Sequence, residues 1–532
     1  MKMGTFLNSY LIVVSLLIFS ISFGVSSTTL DIHEKFLQCL SLNSQTYIPT
    51  YTKTNPNYTS ILESNVFNQR PLSSSTNVKP FLIITPLQES HVQASVICSK
   101  KHGTQLKVRS GGHDYEGISY VSDVPFVILE MINLRAINVN AKERTAWVQA
   151  GATVGELYYR IAEKSRTLGF PAAVCTTVGV GGQFSGGGYG SMLRKYGLAD
   201  DNIIDIRIVD ARGKILNKKT MGKDLFWAIR GGGGGSFGVV LSWKIKLVPI
   251  PPTVTIFTVT KTLEEGATGL VHKWQEVAPK FPNELFMRVI LTLTNSTTQK
   301  GKTTIQASFN SMYLGDTTTL LLVMNKRFPE LGLESKDCTE TSWVRSTLYF
   351  GKFPAEGPLN NLLNRSKAAK VFKAKSDYVR HPISKTGLEG LWKRVLEKEN
   401  PLIIFTPYGG RMNEISESAT PFPHRNGTLY MIMYEVIWKE QGVERSNENI
   451  TWMRNLYKYM APYVSKSPRQ AYVNYRDLDI GQSKNGSASY QLGKTWGGKY
   501  FMGNYKRLVH VKSKFDPENF FRHEQSIPSV AF

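Results

Sequence analysis

The sequence contains two glycine-rich segments, residues 109–117 and 175–190, and each places one nucleophilic side chain among glycines. His113 lies in the first segment, and Cys175 begins the second. Because glycine has no Cβ atom, such a backbone can come within contact distance of a flat ligand. Neither segment fits the nicotinamide fingerprint, in which an acidic residue follows the glycine loop by about 20 residues. Either segment alone could be a tight turn or a phosphate-binding nest, but together they predict a bound flat cofactor.

Both segments resemble the flavin-attachment segments of the plant berberine bridge enzyme-like (reticuline oxidase-like) oxidases, and the likeness runs from about Cys39 to the C-terminus. The resemblance implies bicovalent FAD, with His113 bonded to the flavin 8α-methyl carbon and Cys175 to carbon C6. It also implies an α+β, two-domain fold of the vanillyl-alcohol-oxidase type, with a PCMH-type FAD-binding domain and an antiparallel-sheet substrate domain. The other cofactor-binding residues expected from it are Arg109, Ser110, Gly111, Gly112, Val178, Gly179, Gly182, Gln183, Ser185, Gly186 and Tyr189.

A chain of 532 residues exceeds a single-core domain, so two domains are the default expectation. Strand-like and helical runs alternate from residue 80 until Pro249-Ile-Pro-Pro252 breaks the pattern. Long strands at 255–260 and 285–293 then mix with helical stretches at 263–278 and 317–328. We predict an FAD-binding domain at 28–250, a substrate-binding α+β domain at 251–475, and a C-terminal segment at 476–532 that returns to the FAD domain.

Residues 1–27 are predicted to form a secretory signal peptide, with Lys2 near the start, an apolar run from about residue 10 to 25, and small residues before the cleavage point. The run is short for a membrane span of about 20 residues, and no other segment is long and apolar enough to cross a bilayer. Six sequons agree with export and glycosylation: Asn57, Asn295, Asn364, Asn426, Asn449 and Asn485. The predicted location is the apoplast or cell wall, with the vacuole as the alternative.

The chain has four cysteines. The resemblance pairs Cys39 with Cys98 in a disulfide, which an oxidising compartment permits. Cys338 is left over, and we expect it to be buried as a small hydrophobic residue. No Cys/His cluster has the spacing of a metal site, so no metal is predicted.

The net charge of +23 invites a nucleic-acid interpretation, but the basic residues are scattered and accompany no recognition motif. We therefore predict no nucleic-acid partner. Electrostatic association with cell-wall polyanions is one alternative, and a charge that serves solubility alone is equally open. The expected partners are a small-molecule substrate and O2, and the chain is expected to be a monomer.

Tyr475 lies in a segment, residues 471–481, that resembles the part of the family that offers a catalytic tyrosine over the flavin. A phenol beside a cation can be deprotonated and accept a proton from a substrate hydroxyl. By the same resemblance, Tyr115 and Tyr189 line the pocket or support this base. A core tyrosine with a bonded hydroxyl is the alternative for Tyr475.

Three features bear on redox chemistry and substrate. Relatives often carry histidine where this chain has Gln183, and glutamine cannot hold a positive charge against reduced flavin. Strand alternation puts Met431 and Met433 on one face with Glu435, where relatives often have Lys, Gln or Glu. Thioethers offer an adaptable apolar surface for aromatic rings or prenyl chains, unless both simply pack in the core. In the family that these segments resemble, the position of Val178 faces the flavin C4a edge, where valine lets oxygen approach and leucine hinders it, although a packing role is equally open.

These observations predict a secreted FAD-dependent oxidase that dehydrogenates or oxidatively cyclises a hydrophobic plant metabolite (phenolic, prenylated or alkaloid) and forms H2O2. Tyr475 would assist proton removal while flavin N5 accepts hydride. One alternative is oxidation of cell-wall oligosaccharides, which the basic charge favours and the methionine pair opposes. Another is a non-redox cyclase, such as a Diels–Alderase, that uses flavin as a scaffold. An inactive binding protein has no positive support.

Overall fold

The computed structural model describes residues 32–439 and 442–530, so the predicted signal peptide lies outside the described residues. The described chain begins with a helical segment at residues 32–42. A disulfide between Cys39 and Cys98, with Cα atoms 5.7 Å apart, ties this segment to the helix Glu89–Lys101. The predicted disulfide is confirmed.

The first sheet positions the first glycine-rich segment. Its strands lie in the order Thr50–Thr52, Leu82–Ile84, Phe126–Glu130 and Gln105–Arg109. The last three are parallel, and they are rich in buried apolar residues because both faces of the sheet are covered. Residues 109–117 leave the sheet at its carboxyl edge, which is where open α/β sheets bind ligands.

A five-stranded antiparallel sheet supports the second glycine-rich segment, with strands in the order Ile137–Asn140, Thr145–Gln149, Val239–Lys246, Ile203–Val209 and Ile215–Leu216. The helix Val154–Lys164 starts with a capping box between Thr153 and Glu156. Backbone hydrogen bonds join residues 152–155 to residues 176–180, so the start of this helix fixes the second segment. The second segment then continues into the helix Val180–Ser185. The helix Lys218–Ile229 and the short strand pair Leu168–Gly169 and Val248–Pro249 complete this part.

The third sheet has seven antiparallel strands in the order Cys338–Thr341, Val254–Thr262, Thr303–Tyr313, Leu285–Asn295, Pro401–Pro407, Tyr430–Trp438 and Val371–Val379. One face packs in a hydrophobic core with helices Ala267–Val277, Lys385–Val395 and Val443–Met460. The opposite face belongs to the core of the first two sheets, to which it contributes Ile256, Phe286, Met312 and Met431. The predicted antiparallel sheet is confirmed, and its second face covers the glycine-rich segments.

The C-terminal helices Tyr490–Phe501 and Tyr505–Phe515 pack in the core of the first two sheets. Trp496, Leu508 and Val509 are buried there. The chain after the seven-stranded sheet therefore returns to the glycine-rich segments. No helix within the described ranges has the length and apolar character of a membrane span.

Cys338 is a correction. It is half-buried rather than buried, because it begins the edge strand Cys338–Thr341, which pairs with one neighbouring strand.

One helix starts later in the chain than the sequence predicts. The helix expected at 263–278 begins at Ala267, because residues 263–266 form a turn that ends in Gly266 with φ +85°.

Asn449 is a second correction. Its side chain is 3% exposed, and its Nδ2 atom donates a hydrogen bond of 2.9 Å to the carbonyl of Arg445. A glycan is attached through this nitrogen, so the folded chain has no room for one there. The other five sequon asparagines are exposed.

We expect a secreted preparation to carry glycans at Asn57, Asn295, Asn364, Asn426 and Asn485 and none at Asn449, because only the last is buried by the fold. Peptide mass spectrometry before and after deglycosylation measures the occupancy of each site. Occupancy of Asn449 in folded, active protein would contradict this placement of the helix Val443–Met460.

Candidate active site

A cavity of about 400 Å³ lies where the two glycine-rich segments meet the third sheet and residues 472–476. Most of the predicted site residues line it: Ser110, Gly111, Gly112, His113, Tyr115, Cys175, Val178, Gly179, Gly182, Gln183, Ser185, Tyr189 and Tyr475. Among the described residues, no group of three or more His, Cys, Asp or Glu side chains is arranged to hold a metal ion.

The two glycine-rich segments cross backbone to backbone. A Cβ atom on Gly111 would lie 2.2 Å from the nitrogen of Gly179, and one on Gly179 would lie 2.3 Å from the nitrogen of Gly111. Any side chain at either position would separate the segments. Gly182 and Gly235 differ, since a Cβ atom at either would meet no protein atom within 4 Å. The absence of a side chain at these two positions leaves part of the cavity wall open for a ligand.

His113 and Cys175 come together at this crossing. Nε2 of His113 lies 2.9 Å from Oγ1 of Thr177, and Sγ of Cys175 lies 3.6 Å from the same oxygen. The imidazole stacks on Phe67 with ring centroids 4.4 Å apart. Burial and the nearby charge of Lys367 lower the pKa of His113 well below its usual value, so the ring is neutral. A neutral imidazole is the nucleophilic form of histidine, and the thiol of Cys175 is free and exposed.

The three predicted tyrosines form one cluster. The hydroxyls of Tyr189 and Tyr475 are hydrogen-bonded, although 286 residues separate them in sequence. The ring of Tyr475 stacks on Tyr115 with centroids 5.0 Å apart and planes 8° from parallel. Burial, reinforced by the neighbouring phenols, raises the pKa of Tyr475 well above its usual value. Its hydroxyl is therefore protonated at neutral pH unless a cation acts on it.

Arg288 lies near this cluster, and the sequence analysis gave it no role. It projects from the strand Leu285–Asn295, and Nε donates to Oδ1 of Asn310 across the sheet at 2.9 Å. Its charge lies close enough to lower the pKa of Tyr189, against the larger effect of burial, and to interact with an ionised Tyr475. Strand alternation alone could place Arg288 on the second face of the sheet, but not beside these phenols.

Gln183 is 7% exposed and lines the cavity, and its Oε1 atom has no hydrogen-bond partner in the protein. Its Nε2 atom donates a long bond of 3.4 Å to the carbonyl of Tyr189. A buried amide oxygen without a partner is costly. A bound group with a hydrogen-bond donor at this wall would satisfy it.

Four predicted residues do not line the cavity. Arg109 is fully buried behind the loop, where it pairs with Glu130 and donates to two backbone carbonyls. Gly186 lies against Asn474, which a Cβ atom would meet at 2.0 Å. Met431 is fully buried in the core. Met433 is one layer behind, and its sulfur accepts a hydrogen bond of 3.6 Å from the hydroxyl of Tyr115.

Several lining residues had no assigned role in the sequence analysis. They come from residues 233–238, in and just after a run of five glycines, and from the C-terminal part of the chain: Gly233, Gly234, Gly235, Gly238, Asn474, Arg476, Arg522 and His523. The glycine run itself was the signal that could have found this wall. Glu435 also lines the cavity, and burial raises the pKa of its carboxyl group.

The cavity fits FAD. Gly182 and Gly235 leave wall space, the oxygen of Gln183 lacks a partner, and His113 is neutral. His113 and Cys175 are the residues that would hold the flavin, and Ser110, Gly111 and Gly112 line the same cavity. When bound, FAD supplies an acceptor for two electrons and hydride.

Comparison with known proteins agrees with this fit. A family model described as FAD binding domain matches residues 80–218, and one described as berberine and berberine like matches residues 471–528. The fold and the cavity thus define an FAD-linked oxidoreductase with a vanillyl-alcohol-oxidase-type fold, which confirms the predicted fold class and the predicted FAD.

Full-length relatives are more specific. The chain is 54% identical over 506 residues to a tetrahydroberberine oxidase of Berberis wilsoniae, covering 93% of this chain and 94% of the relative. It is 52% identical over 531 residues to a monolignol oxidoreductase of Arabidopsis thaliana, covering 98% of each. Among solved structures, Phl p 4, a grass pollen allergen with glucose dehydrogenase activity, matches with TM-score 0.88 and 46% identity, covering 93% of this chain and 100% of the other. The chain belongs to the berberine bridge enzyme-like family.

Proposed function

We propose that this oxidoreductase is a secreted oxidase of a hydrophobic, aromatic plant metabolite, with FAD bound covalently through His113 and Cys175 and with O2 as the electron acceptor. The observation that carries the substrate class is the stack of Tyr115 on Tyr475, two rings that line the cavity and are backed by Phe372 and Met433, which contact Tyr115 without lining the cavity. Flat aromatic substrates pack well on such a surface. Relatives described as a tetrahydroberberine oxidase and a monolignol oxidoreductase support the same class.

Tyr475 is the proposed base. It would take a proton from the substrate while the hydride leaves for the cofactor. Tyr189 shares its hydrogen bond with Tyr475, and Arg288 stabilises negative charge on the pair. Glu435, with its raised pKa, is the second acid–base group that faces the cavity.

Val178 lines the cavity and is proposed to admit oxygen. Its side chain is half-buried and short, so it leaves more space than a leucine. Wild-type Phl p 4 is described as a glucose dehydrogenase, and a variant of it with valine in place of isoleucine as a glucose oxidase. This conversion of a dehydrogenase into an oxidase is what we expect if the loss of one methylene group opens a path for oxygen.

Oxidation of a carbohydrate is the second candidate, favoured by the glucose dehydrogenase activity of Phl p 4 and by the polar groups of Arg288, Asn310 and Glu435 on the same sheet face. A non-redox cyclase is the third, since Gln183 offers less stabilisation to a reduced flavin than histidine would.

Anaerobic titration of the yellow protein with two substrate panels tests the proposal. We expect phenylpropanoid alcohols, prenylated phenols or tetrahydroisoquinoline alkaloids to bleach the flavin absorbance, and air to restore it with one H2O2 per turnover. Bleaching by oligosaccharides alone would favour the second candidate. Product formation without bleaching would favour the cyclase and contradict the oxidase.

A further inference from the structure

Thr177 connects the two side chains proposed to hold FAD. Its Oγ1 atom lies 2.9 Å from Nε2 of His113 and 3.6 Å from Sγ of Cys175. A threonine hydroxyl has one hydrogen and can donate to only one neighbour at a time. Because its oxygen also has two acceptor lone pairs, Thr177 can bond to both side chains at once.

The surroundings keep His113 in one charge state. Burial, together with the positive charges of Lys367 and Lys370, keeps its ring neutral with a single N–H. The backbone of Thr177 is a further hydrogen-bond partner of this ring. Thr177 therefore holds His113 through both its backbone and its hydroxyl, and the same hydroxyl contacts Cys175.

We propose that Thr177 is the positioning residue for flavin attachment, because its one hydroxyl orients both His113 and Cys175. Because Nε2 of His113 faces Thr177, Nδ1 is the ring nitrogen left for the flavin, and the stack on Phe67 holds the ring plane. The inference rests on the proposed bicovalent attachment of FAD and names a residue that controls it.

Each attachment replaces a hydrogen on a flavin carbon by a bond to the protein. At His113, Nδ1 would form the new bond, and the flavin carbon and the ring N–H would each give up a proton to solvent beside the exposed Cys175. At Cys175 the balance would be the same, with the thiol proton in place of the ring proton. FAD would supply the two-electron acceptor, and O2, the oxidant of the proposed function, would take up the two electrons and both protons as H2O2.

Thr176 provides a matched control. It is also a threonine, is 3% exposed, and packs against Gly155 and Gly351. No hydrogen bond joins its side chain to His113 or Cys175, in contrast to Thr177. Thr176→Val therefore changes a neighbouring threonine in the same way without touching the proposed chain of hydrogen bonds.

The experiment compares full-length wild type, Thr177→Val, Thr177→Ser and Thr176→Val from one expression host. Total flavin is read from the absorbance of the folded protein, and covalent flavin from the acid-precipitated pellet and from mass spectrometry of the two peptides. In Thr177→Val we expect flavin attached at His113 to fall about tenfold relative to total flavin, on the scale of a lost orienting hydrogen bond. Thr177→Ser and Thr176→Val should match wild type.

Wild-type occupancy in Thr177→Val, with total flavin unchanged, would overturn the proposal. A second readout needs no variant: NMR of the wild-type flavin peptide should place the bond on Nδ1 of His113, and attachment through Nε2 would also overturn it. A wild-type pellet without flavin would instead contradict covalent attachment, and so the proposed function, before Thr177 is tested.

Discussion

Replacing Tyr475 with phenylalanine is expected to lower kcat by about 100-fold or more, because a positioned general base contributes about 10²–10⁴-fold. The hydroxyl that is lost is hydrogen-bonded to Tyr189, and the ring that stacks on Tyr115 stays. We therefore expect KM to change little. Rapid mixing with substrate under anaerobic conditions measures the rate of flavin reduction directly.

Tyr505→Phe is the matched control for this prediction. Tyr505 is also buried, and its hydroxyl donates to the carbonyl of Tyr490 at 3.0 Å, outside the cavity. It should leave flavin reduction unchanged. A wild-type reduction rate in Tyr475→Phe would contradict the base role, and loss of activity in Glu435→Gln would then move that role to Glu435.

The rate of flavin reduction is also expected to depend on pH. Since burial raises the pKa of Tyr475, its reactive, deprotonated form grows with rising pH, and so should the rate of flavin reduction. Tyr475→Phe should lose this rise. Arg288→Met should shift it to higher pH, because the charge that stabilises the ionised phenols is removed.

The second large effect is expected at a buried charge cluster that joins the first glycine-rich segment, the third sheet and the segment that carries Tyr475. Lys373 pairs with Glu116 and with Asp477 at 2.8 Å, and Lys375 pairs with Asp477 at 2.5 Å. The side chains of Lys373, Glu116 and Asp477 are at most 4% exposed. Lys373→Met leaves two carboxylates short of a partner and should lower the free energy of unfolding by about 3–5 kcal/mol.

Urea denaturation followed by fluorescence measures this loss, with Lys100→Met as the control. Lys100 pairs with Glu518 at the surface, where a lost ion pair costs about 0–1 kcal/mol. An equal effect of the two substitutions would contradict the role assigned to the cluster.

The stability that this charge cluster contributes also depends on pH. Although burial opposes it, Glu116 and Asp477 raise the pKa of Lys373, so the stability this gives is lost as pH rises through that raised pKa. For Asp479, burial raises the pKa, but Arg454, Lys373 and Lys375 outweigh burial and hold the pKa below its ordinary value. The stability that Asp479 contributes is therefore lost as pH falls through the lowered pKa. The difference between wild type and Lys373→Met should therefore be full between about pH 4 and pH 10, the ordinary pKa values of aspartate and lysine.

The sequence by itself determined the local chemistry of this protein. The glycines at 111 and 179 indicated that the backbone can come close to another group, and His113 and Cys175 lie in the same glycine-rich segments. The alternation of Met431, Met433 and Glu435 gave the correct strand face, and the long strands gave the antiparallel sheet. Such signals lie in windows of a few residues, because backbone sterics and side-chain periodicity act at that range.

Only the tertiary structure decided what these elements face. It turned Arg109 away from the cavity and buried Met431, and it brought Arg288 beside a pair of phenols that lie 286 residues apart in the chain. It also placed Thr177 between His113 and Cys175 and closed the wall with the glycine run at 231–235. Burial, pKa and hydrogen-bond partners depend on the side chains that packing brings near, and those come from distant parts of the sequence.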